Sequence, residues 1–208
     1  MKSLFIVNPR SGIRRRRDIT ATIRDSCAVP FEIARCDDLA SLDRVIADAT
    51  VQGFKVVYAV GGDGTVHEIA KRVMKTSLAL GIIPAGSGNG LARHLGIPVQ
   101  PGEALAVCRD GVVATIDTAV VNGQPYFGVM GVGLDAVIAG RFAESAVRGL
   151  RTYVRVGLRA FLAFRPEEYE IEIDGIAQTR RAFVLAVANS SQYGNNARIA
   201  PLASLQDG

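Results

Sequence analysis

The first 115 residues show a regular alternation of short apolar runs and helical segments, and this alternation constrains the fold more than any other feature. Strands are predicted at residues 3–7, 31–34, 55–60 and 79–83, with apolar residues at helical spacing between them. Strands and helices that alternate in this way form βαβ units. The sequence therefore predicts an α/β domain built on a parallel sheet with helices on both faces.

The pattern changes near residue 115, where paired short strands replace the alternation. Asn122-Gly123 and Asp174-Gly175 are each flanked by β-rich runs, and both dipeptides are typical of tight hairpin turns. One long helical stretch, residues 136–164, is predicted between them. We therefore predict an α/β domain at residues 1–115 and an antiparallel, β-rich domain at residues 116–208. The last residues are turn-like, so we expect the second domain to be incomplete in this chain.

Composition excludes several classes of protein. With 49% hydrophobic and 21% charged residues, the chain is globular rather than disordered. The three cysteines form no CxxC pair, which argues against a disulfide framework or a zinc site and fits a reducing cytosol. No run approaches the roughly 20 apolar residues that span a bilayer. The net charge of +4 suits nucleotide phosphates, an anionic lipid surface or nucleic acid equally well.

Three loops follow predicted parallel strands, whose carboxyl ends meet at the edge where open α/β folds bind ligands. The first loop is Asn8-Pro9-Arg10-Ser11-Gly12, the second is Gly61-Gly62-Asp63-Gly64-Thr65, and the third is Pro84-Ala85-Gly86-Ser87-Gly88-Asn89-Gly90. Glycines let the backbone approach an anion closely, and the following helix adds its positive end. One such loop alone is as easily a tight turn, but three at one edge favour a phosphate site. Neither a Walker A loop nor a Rossmann GxGxxG motif is present.

The second loop, the strand before it and the third loop resemble the diacylglycerol kinase and sphingosine kinase superfamily. The first loop matches the opening motif of that superfamily, and residues 131–136 (GVGLDA) resemble its second-domain motif. The resemblance implies a nucleotide-binding α/β domain followed by a β-sandwich-like lipid domain. It also implies an enzyme that transfers the γ-phosphate of ATP, with Mg²⁺, to a hydroxyl of diacylglycerol, a sphingoid base or a related lipid.

The resemblance further implies residue roles. Nucleotide contacts are expected from Asn8, Pro9, Arg10, Ser11, Gly12, Gly61, Gly62, Gly64, Thr65, Gly86, Ser87, Gly88 and Asn89. Asp63 would touch the substrate and act as general base for the attacking hydroxyl, and Asp135 would lie near the lipid head group. In the family, the part beyond the equivalent of Gly208 carries acidic residues assigned to magnesium and, in bacterial members, a glutamate proposed as base. The metal ligands are therefore left open, and the base is either Asp63 or that glutamate.

The chain departs from the family pattern at three places. Gly90 stands where many bacterial diacylglycerol kinase relatives carry an aspartate, and His67-Glu68 resembles the sphingosine kinase sequence. Both differences favour a sphingosine-kinase-like member. Cys36 stands where the family usually has a threonine near the nucleotide.

Two basic segments allow alternative interpretations. Residues 14–17 are four arginines that either begin a solvated helix or bind nucleotide phosphates or an anionic surface. Arg148, Arg151, Arg155 and Arg159 recur at helical spacing beside an apolar stripe, so this helix either packs on its own domain or lies on a membrane. We expect a cytoplasmic protein working peripherally at the inner membrane face on a lipid substrate, without nucleic acid, since the loops lack base-stacking aromatics.

Two other functions stay open. One is a kinase of a soluble small molecule, because phosphofructokinases and NAD kinases use related loops. The other is a non-catalytic nucleotide-binding or membrane-binding module. The oligomeric state is left open by the sequence.

Overall fold

The computed structural model describes residues 2–9, 19–27, 29–144 and 150–208. The chain divides into two compact units. The first unit contains Met1–Gly128 together with Ala188–Gly208, and the second contains Val129–Val187.

Four parallel strands form the sheet of the first unit: β1 (Ser3–Val7), β2 (Phe31–Arg35), β3 (Val56–Gly61) and β4 (Ala79–Pro84). Their order is β2-β1-β3-β4. The chain moves outward from β1 to β2 and then returns past β1 to β3, so the strand order reverses between β1 and β3. Such a switch point leaves a crevice at the carboxyl ends of the strands, and open α/β folds bind ligands there.

Helices cover both faces of this sheet: α1 (Ile19–Ser26), α2 (Leu39–Val51), α3 (Asp63–Val73), α4 (Gly90–His94), α5 (Pro101–Ala104) and α6 (Val107–Asp110). Alternate strand residues point to opposite faces, as a period of two requires. Ile6 and Val57 pack in a core cluster with residues of α2 and α3, whereas Phe5 and Tyr58 pack in another with residues of α1 and α5. The central strands are buried on both faces, which explains their continuous apolar runs.

Two predicted hairpins are present. In the first unit, β5 (Ala119–Val121) and β6 (Gln124–Tyr126) are antiparallel around Asn122-Gly123, with φ values of 49° and 74°. In the second unit, β8 (Glu167–Ile173) and β9 (Ile176–Ala182) are antiparallel around Asp174-Gly175, with φ values of 53° and 77°. Positive φ at both central residues is the requirement of the tight turns that suit hairpins.

The second unit also contains two helices and β7 (Val129–Gly133), which pairs with β10 (Val184–Ala188), a strand whose last residue belongs to the first unit. These helices are α7 (Leu134–Glu144) and α8 (Leu150–Ala163), where the sequence predicted one long helical stretch. Two short strands, β11 (Gln192–Gly194) and β12 (Ala197–Arg198), follow in the first unit. None of the described helices is long and apolar enough to cross a bilayer.

The structure divides the chain at different points from the predicted boundary at residues 115 and 116. Residues 116–128 and 188–208 belong to the first unit. Long-range hydrogen bonds join these two segments to each other: Asp117 N–H donates to the Leu205 carbonyl at 2.7 Å, and Asn189 Nδ2 donates to the Asp117 carbonyl at 3.1 Å. The change from βαβ alternation to hairpins near residue 115 is a change of local secondary structure. The second compact unit begins further along the chain, at Val129.

Candidate functional site

The second loop forms the N-terminus of α3 at the switch point between β1 and β3. Gly62 is the N-cap, and no side chain caps the helix. The first hydrogen bond of the helix runs from Val66 N–H to the Gly62 carbonyl at 3.0 Å, so the N–H groups of residues 63–65 have no partner within the helix. These N–H groups and the positive end of the helix dipole make this end of α3 suited to bind an anion.

The second and third loops contact each other through their backbones. Ala85 N–H donates to the Gly61 carbonyl at 2.8 Å. A β-carbon on Gly86 would lie 2.5 Å from Gly62 Cα, and one on Gly62 would lie 3.1 Å from Gly86 Cα. Loop packing therefore requires glycine at position 86 and leaves little room for a side chain at position 62, in addition to the expected close approach of a phosphate.

Asp63 joins the second loop to the third. Its Oδ2 accepts a hydrogen bond from Asn89 N–H at 2.8 Å, and its Oδ1 accepts one from Gly90 N–H at 2.7 Å. The carboxylate also lies against Gly88, where a β-carbon would come within 2.7 Å of Oδ2. Both oxygens of this exposed side chain are thus turned to the backbone of the third loop. The role of Asp63 as general base stays a prediction.

Asn89 closes the third loop on itself. Its backbone is left-handed, with φ 55° and ψ 46°, a conformation that asparagine adopts more readily than most residues. Its Oδ1 accepts from Gly86 N–H at 3.1 Å, and its Nδ2 donates to the Gly86 carbonyl at 2.9 Å. Ser87 lies exposed at the tip, and neither its N–H nor that of Gly88 bonds to a described residue. These two donors are available to a ligand.

The first loop meets α3 through Asn8. Asn8 follows β1, and its Nδ2 donates to Thr65 Oγ1 at 3.1 Å. Thr65 in turn packs on Gly61, where a β-carbon would lie 2.5 Å from Thr65 Cβ. Pro9 is exposed next to Asn8. The predicted contacts Arg10, Ser11 and Gly12, and the arginines of residues 14–17, lie outside the described residues.

A cavity of about 420 Å³ opens beside this edge of the sheet. Its volume lies within the range of small-molecule sites. It is lined by Ile6, Asn8, Cys36, Asp37, Asp38, Leu39, Leu42, Gly64, Thr65, Glu68 and Ile69. The buried Cys36 thus lies where the resemblance placed a threonine near the nucleotide, and burial raises the pKa of its thiol.

Residues 190–196, which we call the return segment because they follow the return of the chain to the first unit at Ala188, were not predicted to contribute to this site. Asn195 N–H donates to the Gly88 carbonyl at 3.0 Å, and Arg93 Nε donates to the same carbonyl at 3.1 Å. Gly194, at φ 120°, packs so closely that a β-carbon would lie 2.8 Å from the Gly88 carbonyl carbon. The only sequence signal for this contact is the run of turn-forming residues after β10.

Residues 2–121 match the family described as "Diacylglycerol kinase catalytic domain", and residues 128–208 match "YegS C-terminal NAD kinase beta sandwich-like domain". The chain belongs to the diacylglycerol kinase catalytic-domain family. The predicted fold class, a parallel-sheet α/β domain followed by a β-rich, sandwich-like domain, is confirmed.

Individual relatives agree with this assignment. A "Diacylglycerol kinase" of Bacillus subtilis (strain 168) is 31% identical over 226 residues, which cover 100% of this chain and 71% of the relative. A "Probable lipid kinase YegS-like" of Chromohalobacter salexigens is 31% identical over 171 residues, which cover 79% of this chain and only 55% of the relative. A crystal structure of a diacylglycerol kinase from Bacillus anthracis str. Sterne has the same fold, with a TM-score of 0.74 at 21% identity, covering 100% of this chain and 70% of that one.

The structure gives a packing reason for one departure from the family pattern. A β-carbon on Gly90 would lie 2.9 Å from the Tyr193 carbonyl oxygen and 3.1 Å from that of Gln192. An aspartate, as in many bacterial diacylglycerol kinase relatives, would therefore collide with the return segment as it lies in this chain.

Both histidines of the chain contact other residues of the first unit through their imidazole rings. His67 packs edge-on against Phe127, with ring centroids 5.7 Å apart, and burial lowers the pKa of its imidazole. The His67 side chain is therefore half-buried. His94 ends α4, and its Nδ1 lies 3.0 Å from the Ser191 N–H nitrogen and 2.8 Å from Ser191 Oγ.

Asp135, the residue expected near the lipid head group, begins α7 in the second unit. Its Oδ1 accepts from Ala136 N–H at 2.8 Å, and its carboxylate lies against Gly131. Gly133, at φ 91°, leaves room for Tyr169: a β-carbon there would lie 2.7 Å from the phenol oxygen. Burial raises the pKa of Tyr169, and the carboxylates of Glu167 and Asp135 add to the effect. The head-group role of Asp135 stays a prediction.

No dedicated metal site is formed by the described residues. Within that part of the chain, no three His, Cys, Asp or Glu side chains cluster closely enough to hold an ion. Asp63 turns both oxygens to backbone N–H groups, and Glu68 is paired with Arg72 at 2.7 Å. Magnesium on a nucleotide keeps several waters and binds mainly to phosphate oxygens, so a nucleotide-bound ion needs no such cluster.

Proposed function

We propose that the protein is an ATP-dependent lipid kinase, which transfers the γ-phosphate of Mg-ATP to a hydroxyl of diacylglycerol, a sphingoid base or a related lipid. One observation carries the proposal: the N-terminus of α3 faces the glycine-rich third loop at the switch point of the sheet. Backbone N–H groups from two loops are thereby gathered at one place, which suits a polyphosphate. Membership of the diacylglycerol kinase catalytic-domain family supports the same activity.

The nucleotide is proposed to lie along this edge with its phosphates at the loops. Asn8 and Thr65, which are hydrogen-bonded to each other, line the cavity, and Gly64 and Thr65 belong to the first turn of α3. The cavity would take the nucleoside, and the carboxylates of Asp37 and Glu68 at its wall can accept hydrogen bonds from ribose hydroxyls. Magnesium, arriving with the nucleotide, would neutralise charge that develops on the transferring phosphoryl group.

The lipid acceptor is supported by the surface of the second unit. On α8, Leu158, Phe161 and Leu162 are 60%, 55% and 76% exposed, and Arg155 and Arg159 are exposed on the same helix. A helix that combines exposed apolar and basic side chains suits the interface of an anionic membrane. We propose accordingly that the enzyme works peripherally at the inner face of the cytoplasmic membrane. Two further arginines belong to this basic series in the sequence, but Arg148 and the side chain of Arg151 lie outside the described part of the chain.

Transfer of labelled phosphate tests the proposal. The purified protein is incubated with Mg-ATP and either lipids in mixed micelles (diacylglycerol, monoacylglycerol, sphingosine) or soluble alcohols (glycerol, sugars, NAD). Label on one lipid class and on none of the soluble acceptors is the expected result. Label on a soluble acceptor alone would support a small-molecule kinase. Measurable ATP binding without transfer to any acceptor would support a non-catalytic nucleotide-binding module.

A further inference from the structure

We propose that Asp63 is a positioning residue that, together with Arg93 and Asn195, holds a single peptide unit of the third loop from both of its ends. The peptide unit joins Gly88 to Asn89. The phosphate-binding consequence of this arrangement rests on the proposed function, whereas the arrangement itself does not.

The N–H side of this peptide unit faces a negative charge. Asn89 N–H donates to Asp63 Oδ2 at 2.8 Å, and the next N–H, of Gly90, donates to Asp63 Oδ1 at 2.7 Å. Hydrogen bonds from backbone N–H groups to a carboxylate are among the stronger hydrogen bonds in proteins, because the acceptor is charged. One carboxylate therefore holds two consecutive N–H groups where α4 begins.

The carbonyl side of the same peptide unit faces a positive charge. The Gly88 carbonyl accepts from Arg93 Nε at 3.1 Å and from Asn195 N–H at 3.0 Å. Arg93 is itself held by the return segment, because its Nη1 donates to Asn196 Oδ1 at 3.1 Å. The carbonyl thus has two donors, one of them a guanidinium.

The opposite charges match the dipole of the peptide unit, and this match defines its orientation. A peptide flip would turn the Gly88 carbonyl toward the carboxylate of Asp63 and the Asn89 N–H toward the guanidinium of Arg93, and both new contacts would be repulsive. Glycine on one side of the peptide makes such a flip sterically accessible, so the charges are needed to prevent it. The third loop is thereby held in the shape that presents the N–H groups of Ser87 and Gly88.

This geometry gives Asp63 a task that differs from proton abstraction. A general base must direct a carboxylate oxygen at the attacking hydroxyl. Both oxygens of Asp63 are instead directed at backbone N–H groups of the third loop. This position then requires a pair of acceptor oxygens beside the start of α4, and not a proton acceptor.

Amide hydrogen exchange without nucleotide tests the arrangement itself. In Asp63→Asn one acceptor oxygen remains, so at least one of the Asn89 and Gly90 amides should exchange about tenfold faster or more. Arg93→Gln leaves Asp63 untouched, and it should also accelerate exchange at Asn89. Asp110→Asn, which removes an exposed carboxylate paired with Arg109, serves as the matched control and should leave both amides unchanged. Unchanged exchange in folded Asp63→Asn would overturn the proposal.

Kinetics then separate positioning from proton transfer. If Asp63 and Arg93 hold one peptide unit, each single variant should raise the KM for ATP several-fold. The double variant should then raise the KM by less than the product of the two single fold-changes. A general base must be deprotonated to act, so it makes kcat/KM fall at low pH. If Asp63 is not the base, this fall in kcat/KM at low pH should persist in Asp63→Asn. Loss of this fall, with an unchanged KM for ATP, would overturn the positioning role and support the base. A wild-type protein that binds no ATP would refute the proposed function, while hydrogen exchange would still decide the arrangement.

Discussion

Replacing Gly86 with alanine should force the second and third loops apart. The added β-carbon would lie 2.5 Å from Gly62 Cα and 3.0 Å from Asn89 Oδ1. Carbon atoms in ordinary contact are about 3.5–4.0 Å apart, so the loops must separate by about 1 Å. The nearest obstacle is backbone, which has no alternative rotamer to adopt.

The cost has two parts. Overpacking of this kind costs about 1–3 kcal/mol. The hydrogen bond from Ala85 N–H to the Gly61 carbonyl, 2.8 Å long in the structure, would stretch beyond bonding distance and remove about 1 kcal/mol more. We therefore expect Gly86→Ala to lower the free energy of unfolding by about 2–4 kcal/mol.

Gly64→Ala is the matched control in the neighbouring loop. A β-carbon on Gly64 would meet nothing within 4 Å, and the residue lies in the first turn of α3. Alanine there should leave the free energy of unfolding unchanged or raise it by up to about 1 kcal/mol. Urea unfolding followed by circular dichroism measures both variants, and a loss of 2–4 kcal/mol corresponds to a midpoint lower by about 1–2 M. Equal midpoints for Gly86→Ala and Gly64→Ala would refute the argument from loop contact.

Three further predictions concern the same edge of the sheet and the helix beside it. Asn89→Ala should lower the free energy of unfolding by about 2–3 kcal/mol, because it removes both hydrogen bonds to Gly86 and strains a left-handed residue. Asn89→Gly should recover about 1 kcal/mol of this in the same urea titration, since glycine tolerates that conformation. Thr65→Val should weaken ATP binding several-fold in calorimetry by removing the acceptor of the Asn8 hydrogen bond, whereas Thr65→Ser should bind normally. Burial holds the pKa of His67 below its ordinary value of 6.5, so the unfolded chain binds more protons in acid. Its contribution to stability should be complete above pH 6.5 and decline below it, and His67→Phe should show a smaller fall in urea midpoint between pH 7.5 and 5.5.

The sheet could be predicted because its signals are local. Three of the four parallel strands, β1, β3 and β4, are short apolar runs that end at asparagine, glycine or proline, and burial on both faces of the sheet requires such runs. Convergence of the second and third loops followed from topology alone, since parallel strands place their carboxyl ends at one edge. The contacts of Asn8 with Thr65 and of Gly62 with Gly86 lie where that reasoning placed them.

The remaining features depend on contacts between distant residues. Nothing near Gly88 in the sequence indicates that Asn195 N–H will bond to its carbonyl, and nothing near Asp117 indicates contact with Leu205. Residues 116–128 were therefore predicted to lie beyond the domain boundary, although they pack with the first unit. The hydrogen bonds of Asp63 to the third loop could not be predicted either, because a motif shows which side chain is present and not which backbone groups its oxygens accept from.

The most direct test of the central claim is the rate of phosphate transfer from Mg-ATP to the preferred lipid, measured side by side in the wild-type protein, Gly86→Ala and Asp110→Asn. If the second and third loops together bind the phosphates of ATP, the wild-type protein and Asp110→Asn should label the lipid at the same rate. Gly86→Ala, tested below its unfolding transition, should then be slower by about 100-fold or more, as misplacement by about 1 Å implies. Lipid labelling by folded Gly86→Ala at the wild-type rate, or no lipid labelling by the wild-type protein while it binds ATP, would contradict the account.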